Sequence, residues 1–161
     1  MRFSVIALAG LTAAAPSTLV ARQSAKVDIS GSYWDVTLRT ESGRPGYSIR
    51  DLTATFNNPK FEQSASGKCH YSFVPQGTSP PAETDTCDKG LTYTWDYKVL
   101  TLSQKVVVGN ETLTMYGSAA LTNDCKSSGM GSTCTATGRV ELDHYCRLDP
   151  LVGCYSPEGN A

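Results

Sequence analysis

The feature that most constrains the fold is an alternation of apolar and polar residues that recurs along most of the chain. In the run 34–39, for example, the apolar residues Trp34, Val36 and Leu38 alternate with polar ones. Successive side chains of a β-strand point to opposite faces, so this period of two is typical of antiparallel strands with one buried face. Four further runs alternate in the same way, with apolar faces made of Tyr93, Trp95 and Tyr97; Leu100, Leu102 and Val106; Leu113, Met115, Ala119 and Leu121; and Val140 and Leu142.

Turn-forming residues separate these runs. The stretch 106–113 has the pattern of a hairpin closed by Gly109-Asn110, and a Gly/Ser-rich turn at 127–131 lies between two other runs. Only 49–56 and the chain after Cys146 remain ambiguous, and no amphipathic helix is evident. Many short strands joined by regular turns predict an all-β protein, a single antiparallel β-barrel or sandwich.

The N-terminus has the three parts of a secretory signal. Arg2 supplies the positive charge, residues 5–11 form a short apolar run, and residues 13–15 are three alanines. A membrane span would need roughly 20 apolar residues, so no span is expected. We predict a signal peptide over 1–15, a pro-segment or disordered leader over 16–23, and one domain over 24–161. The protein is then secreted and extracellular.

Six cysteines follow the signal, and an even number in an oxidising compartment predicts disulfides. Six cysteines allow about 15 connectivities, among which the sequence cannot choose. Zinc is disfavoured because no paired C-x-x-C or H-x-x-x-H spacing occurs. Proximity along the chain favours the pairs Cys69–Cys87, Cys125–Cys134 and Cys146–Cys154.

The charge balance excludes two classes of partner. The chain has 14 Lys and Arg against 15 Asp and Glu, and Arg2 and Arg22 lie in the leader. The remaining domain therefore carries a net charge of −3. A mildly acidic domain without a Lys/Arg-rich run has no electrostatic basis for binding nucleic acid or anionic lipid.

No catalytic motif is apparent. The sequence contains neither G-x-S-x-G nor H-E-x-x-H. Its two histidines, His70 and His144, fit half-buried strand positions better than a catalytic base. We therefore expect no enzymatic activity, although paired carboxylates that meet only in space leave an undetected enzyme as an alternative.

The stretch from Val74 to Asp88 is rich in proline, acids and hydroxyls, and it is interpreted as a long loop tied at its ends by Cys69–Cys87. Disulfide-pinned loops often carry binding residues. Its acids Glu83, Asp85 and Asp88 form a candidate partner-binding site, or a weak calcium site, because hard cations prefer clustered oxygens. No cofactor is otherwise expected.

Residues 110–112 match the acceptor pattern for N-glycosylation. The sequence there is Asn110-Glu111-Thr112, at the turn of a predicted hairpin. Asn110 is therefore a candidate glycosylation site if the chain is secreted.

Three blocks of the sequence resemble a family of secreted fungal proteins. They are Gly31–Leu38, Lys98–Val106 and the stretch from Leu121 to Gly138 that contains Cys125 and Cys134. In these blocks the chain resembles the Alternaria major-allergen family, which includes elicitors of hypersensitive cell death in plants. The resemblance spans most of 29–148 and implies a single antiparallel β-barrel without assigned enzymatic activity. It also implies the bridges Cys69–Cys87 and Cys125–Cys134.

The cysteines depart from this family in one respect. Its allergen branch has a further cysteine near the mature N-terminus that links a covalent dimer. Here no cysteine precedes Cys69, and Cys146 and Cys154 are an additional pair. A monomer is therefore expected.

The resemblance also implies a function in the plant apoplast. We expect an effector or elicitor that binds a plant defence protein, of the thaumatin-like type, and induces or modulates cell death. An alternative is an extracellular carrier of a small apolar ligand. A small barrel filled by Trp34 and Trp95 would leave little room for such a ligand.

Overall fold

A computed structural model describes residues 27–60, 64–77, 79–88, 90–109, 111–147 and 153–156. No helix within these ranges is long and apolar enough to cross a membrane. The signal, the leader and Asn110 lie outside the described residues. The ten strands are β1 (Tyr33–Gly43), β2 (Tyr47–Asn57), β3 (Ala65–Gln76), β4 (Ser79–Cys87), β5 (Leu91–Trp95), β6 (Val99–Val108), β7 (Glu111–Ala120), β8 (Asn123–Ser128), β9 (Gly131–Arg147) and β10 (Cys154–Tyr155).

The strands form one antiparallel sheet in the order β4-β3-β2-β1-β9-β7-β6-β5. The long strand β9 joins the two halves of the sheet. The first part of β9 pairs with β1 and β8, and its last part pairs with β7 and β10. The sheet curls around a single core as a half-barrel, so the predicted all-β antiparallel fold is confirmed.

Trp34 lies in the middle of the core and is fully buried. Its indole Nε1 donates to Gln104 Oε1 at 2.8 Å, and its ring meets Phe56 edge-on with centroids 5.1 Å apart. Gly117 leaves space for the indole, since a Cβ there would come 2.8 Å from Trp34 Cζ3. The predicted apolar faces that include Val36, Leu38, Leu100, Leu102, Leu113, Met115, Val140 and Leu142 are buried around it.

One predicted face ends earlier than the alternation suggested. β5 ends at Trp95, and Tyr97 is 71% exposed with a φ of +70°. The reason is local, because Asp96 Oδ1 accepts the main-chain N–H groups of Lys98 and Val99 at 2.9 and 2.6 Å. This Asx-type turn diverts the chain before Tyr97 can join the strand.

The predicted hairpins are confirmed. β6 pairs with β7 as far as Val108↔Glu111, and Gly109, which follows β6, has a φ of +62° in the region that glycine favours. β8 and β9 form the second hairpin, with Cys125 opposite Cys134. The structure contains the three bonds favoured by proximity, Cys69–Cys87, Cys125–Cys134 and Cys146–Cys154, and no free cysteine.

The interpretation of Val74–Asp88 as a loop was wrong. Most of this stretch is β4, which pairs with β3 from Cys69↔Cys87 to Gln76↔Ser79. All nine residues of β4 are exposed on both faces, so no apolar alternation marked it as a strand. Pro80 and Pro81 are tolerated because β4 lies at the end of the sheet.

Candidate functional site

β4 is a free edge of the sheet. Among the strands that the structure describes, it is the first in the sheet order and pairs only with β3. An edge strand presents main-chain N–H and C=O groups that another chain can pair with. The Cys69–Cys87 bond holds β4 in register where it leaves the core, since Cys69 is buried and Cys87 is exposed.

The register shows which main-chain groups of β4 are free. The N–H of Asp88 donates to the main-chain oxygen of Lys68 at 2.8 Å. Hydrogen-bonded and non-hydrogen-bonded pairs alternate along an antiparallel ladder, so every second residue of β4 bonds to β3. The residues between them direct their N–H and C=O groups outward. We call these groups the β4 edge; they belong to Glu83, Asp85 and Cys87.

The three candidate acids do not form one site. Glu83 and Asp85 are exposed, and because they are two residues apart in a strand, their side chains lie on the same face of β4. Asp88 instead joins the two halves of the sheet. Its Oδ2 accepts the N–H of Lys68 at 2.8 Å, and its main-chain oxygen accepts the N–H of Leu91 at 3.0 Å.

The calcium interpretation finds no convergent ligands. Within the part of the chain that the structure describes, no group of three or more His, Cys, Asp or Glu side chains could hold a metal ion. Glu83, Asp85 and Asp88 all fall within that part. Their spacing along the chain suggested a cluster, but an extended strand separates them.

A cleft of about 490 Å³ lies between β4 and β5, the two ends of the sheet. On one wall, Arg50, Tyr71 and Asp85 form a row across β2, β3 and β4, in which each residue is paired with the next. On the other wall, β5 contributes Tyr93 and Trp95. The volume is within the range of about 300–1,000 Å³ typical of small-molecule sites.

Three groups give the cleft its chemistry. The guanidinium carbon of Arg50 lies 4.1 Å from the centre of the Tyr71 ring. Arg50 Nε and Trp95 Nε1 are buried and have no hydrogen-bond partner among the described residues. Burial raises the pKa of the Tyr93 phenol, so Tyr93 stays protonated and can donate a hydrogen bond at physiological pH.

The histidines do not belong to this cleft. His70 Nδ1 lies 2.6 Å from Asp51 Oδ1, and both side chains are about half exposed on the outer face of the sheet. The hydroxyl of Thr86, the residue of β4 that pairs with His70, donates to the main-chain oxygen of His70. His144 stacks on Tyr116 with centroids 4.7 Å apart. The geometry thus offers His70 a partner carboxylate but no hydroxyl nucleophile on its ring.

No family model, curated protein or solved structure matches the chain. The β4 edge and the cleft are therefore the two features that bear on function. Sequence reasoning singled out two residues of the edge, Glu83 and Asp85, but missed Arg50, Tyr71 and Tyr93 as site residues. Only the pairing of β2, β3 and β4 brings the cleft residues together, and no local motif signals that pairing.

Proposed function

We propose that the protein is secreted and works outside the cell by binding a partner protein along the β4 edge, as an elicitor or effector of plant defence. The observation that carries this proposal is a nine-residue edge strand, exposed throughout and held to the sheet by Cys69–Cys87. Three disulfides within one chain fit an oxidising compartment.

The binding mode that suits such an edge is strand addition. An extended segment of the partner pairs its main chain with the β4 edge, and the side chains on either side give specificity. The disulfide already orders β4, so little conformational entropy is lost when the partner binds. Pro81 has no N–H to donate, which limits the pairing surface to the part of β4 that follows it.

The charges of β4 favour one type of partner. Exposed edges are commonly protected from self-association by proline and by charge. Glu83 and Asp85 repel a second copy of the same edge, which fits the expected monomer. A partner strand with Lys or Arg at the facing positions neutralises both acids, and such rim charges mainly raise the association rate.

The plant context comes from the resemblance to the Alternaria major-allergen family. It suggests a defence protein of the thaumatin-like type as the partner. The carrier alternative needs an apolar pocket, whereas the cleft beside β4 combines the apolar residues Leu91 and Trp95 with Arg50, Asp85 and two tyrosines. These polar groups make the cleft a poor site for an apolar ligand.

Infiltration of the purified protein into leaves tests the proposed activity. We expect the folded, oxidised protein to trigger cell death or defence-gene induction. The same preparation, reduced and alkylated, should be inactive because β4 is no longer held in register. Equal activity of the two preparations, or no response to either, would contradict the proposal.

A further inference from the structure

Two residues that line the cleft between β4 and β5 each have a buried side-chain N–H donor without an acceptor. Arg50 Nε comes from the wall formed by β2, β3 and β4, and Trp95 Nε1 comes from β5. Neither group has a hydrogen-bond partner in the described part of the chain. Buried donors are nearly always paired in proteins, so two unpaired donors in one cleft call for a ligand that brings acceptors.

The other tryptophan shows the contrast. Trp34 Nε1 is also buried, and it is satisfied by Gln104 Oε1 at 2.8 Å. The fold can therefore provide an internal acceptor for a buried indole N–H, and does so in the core. At Trp95 it provides none, and this indole lines a cleft that a ligand can enter.

The charges of the cleft exclude a strongly ionic ligand. Among the described residues, Arg50 and Asp85 are the charged ones that line the cleft, one positive and one negative, on either side of Tyr71 in the strand register. A carboxylate that bound Arg50 would be repelled by Asp85. An ammonium group that bound Asp85 would be repelled by Arg50. A neutral ligand that both donates and accepts hydrogen bonds can use both residues.

The aromatic walls add a shape requirement. Tyr93 and Tyr71 come from opposite walls, and each has an apolar ring and a polar hydroxyl. A ligand that fits has an apolar face that packs against a tyrosine ring. It also has hydroxyl groups around its edge, each of which can both donate and accept a hydrogen bond. A saccharide ring has this combination, with C–H groups on its faces and hydroxyls around its edge.

We propose that this cleft binds one or two pyranose rings of a neutral saccharide. Binding requires the Arg50 and Trp95 side chains to turn their buried Nε–H and Nε1–H groups toward the cleft, where ring and hydroxyl oxygens of the sugar accept them. Sugar hydroxyls donate to Asp85, and the C–H face of the ring packs on Tyr93. A volume of about 490 Å³ accommodates a ligand of this size. The cleft shares Asp85 with the β4 edge, but saccharide binding does not require that a partner binds along that edge.

The test uses the two tryptophans of the chain as reporters. A ¹⁵N-labelled sample of the folded protein is titrated with neutral methyl pyranosides and with the matching di- and trisaccharides. We expect the Trp95 side-chain N–H signal to shift and saturate with at least one of them, while the Trp34 signal stays in place. A pyranose can come from a free oligosaccharide or from an insoluble polysaccharide, and co-sedimentation with the polysaccharide distinguishes these sources.

Two variants locate the binding. Arg50→Met should weaken the affinity about tenfold or more, the change expected when a hydrogen bond to a charged group is lost. Trp95→Phe keeps an aromatic ring and should weaken the affinity about two- to tenfold. Because this variant lacks the Trp95 side-chain signal, its affinity is read from the main-chain amide signals of β5. Arg39→Met, the same substitution as in Arg50→Met but at an exposed position of β1, should leave the affinity unchanged.

Two results would overturn the proposal. One is a Trp95 signal that no saccharide of the panel moves. The other is a shift produced by a carboxylate such as benzoate and not by neutral sugars, which would make the cleft an anion site. Partner binding at the β4 edge is tested with variants of Glu83, which does not line the cleft. A negative saccharide titration therefore leaves the proposed function unaffected.

Discussion

Replacing Trp34 with alanine is expected to lower the free energy of unfolding by about 3–5 kcal/mol, as for other fully buried aromatic side chains. Trp34 is fully buried and packs on Phe56. Its removal leaves a cavity and deprives Gln104 Oε1 of its donor. Urea denaturation followed by fluorescence of the remaining tryptophan measures the loss.

Trp34→Phe is the matched control. It keeps an aromatic ring against Phe56 but leaves Gln104 Oε1 without the indole N–H. We expect a smaller loss, about 1–3 kcal/mol, the cost of an unsatisfied buried acceptor. If Trp34→Ala changed the urea midpoint no more than a surface substitution does, Trp34 would not be the centre of the core.

Removing the Cys69–Cys87 bond, with both residues changed to alanine, should cost about 3 kcal/mol for a loop of this length. The two cysteines are 18 residues apart and join β4 to the sheet. Without the bond, β4 keeps its pairing with β3 but has no buried side chain that anchors it to the core. Its protected amides, those of Ala82, Thr84 and Thr86, should exchange faster with solvent, as measured by hydrogen–deuterium exchange.

Removal of Cys125–Cys134 is the comparison. That bond spans 9 residues and staples the β8–β9 hairpin, at a cost of about 2.5 kcal/mol when lost. The amides of β4 should stay protected and the leaf response should be retained. If β4 exchanged equally fast in both variants, the role assigned to Cys69–Cys87 in ordering the edge would be wrong.

The parts of the fold that could be predicted from the sequence are those with one buried face. β1 and β9 alternate cleanly because Trp34, Val36 and Val140 enter the core while their neighbours meet solvent. β4 could not be recognised in this way, since neither of its faces is buried and its two prolines resemble those of a loop. Pairing with β3 and a disulfide make it a strand, and both are long-range effects.

The site was predictable only in part, for the same reason. The sequence pointed to Glu83 and Asp85 as acids in an unusual stretch, but it also grouped them with Asp88. In the structure, the Asp88 carboxylate instead accepts the main-chain N–H of Lys68. The cleft could not be predicted without the strand register, which aligns Arg50 with Tyr71 and Tyr71 with Asp85. Arg50 also lies in the stretch 49–56, which the alternation left ambiguous.

Recognition of a partner by the β4 edge can be tested at Glu83. Its N–H points away from β3, so Glu83→Pro removes one edge donor without breaking a bond to β3, and proline is tolerated at such positions. Glu83→Ala removes the same charge but keeps the donor.

The measurement is the dose of each variant that produces half the maximal leaf response, with the fold checked by circular dichroism. We predict that this dose is at least about tenfold higher for Glu83→Pro than for the parent protein. One edge hydrogen bond is lost, and the proline ring obstructs the partner strand. Glu83→Ala should stay close to the parent protein, with a change mainly in salt dependence. A correctly folded Glu83→Pro protein as active as Glu83→Ala would contradict recognition at the β4 edge.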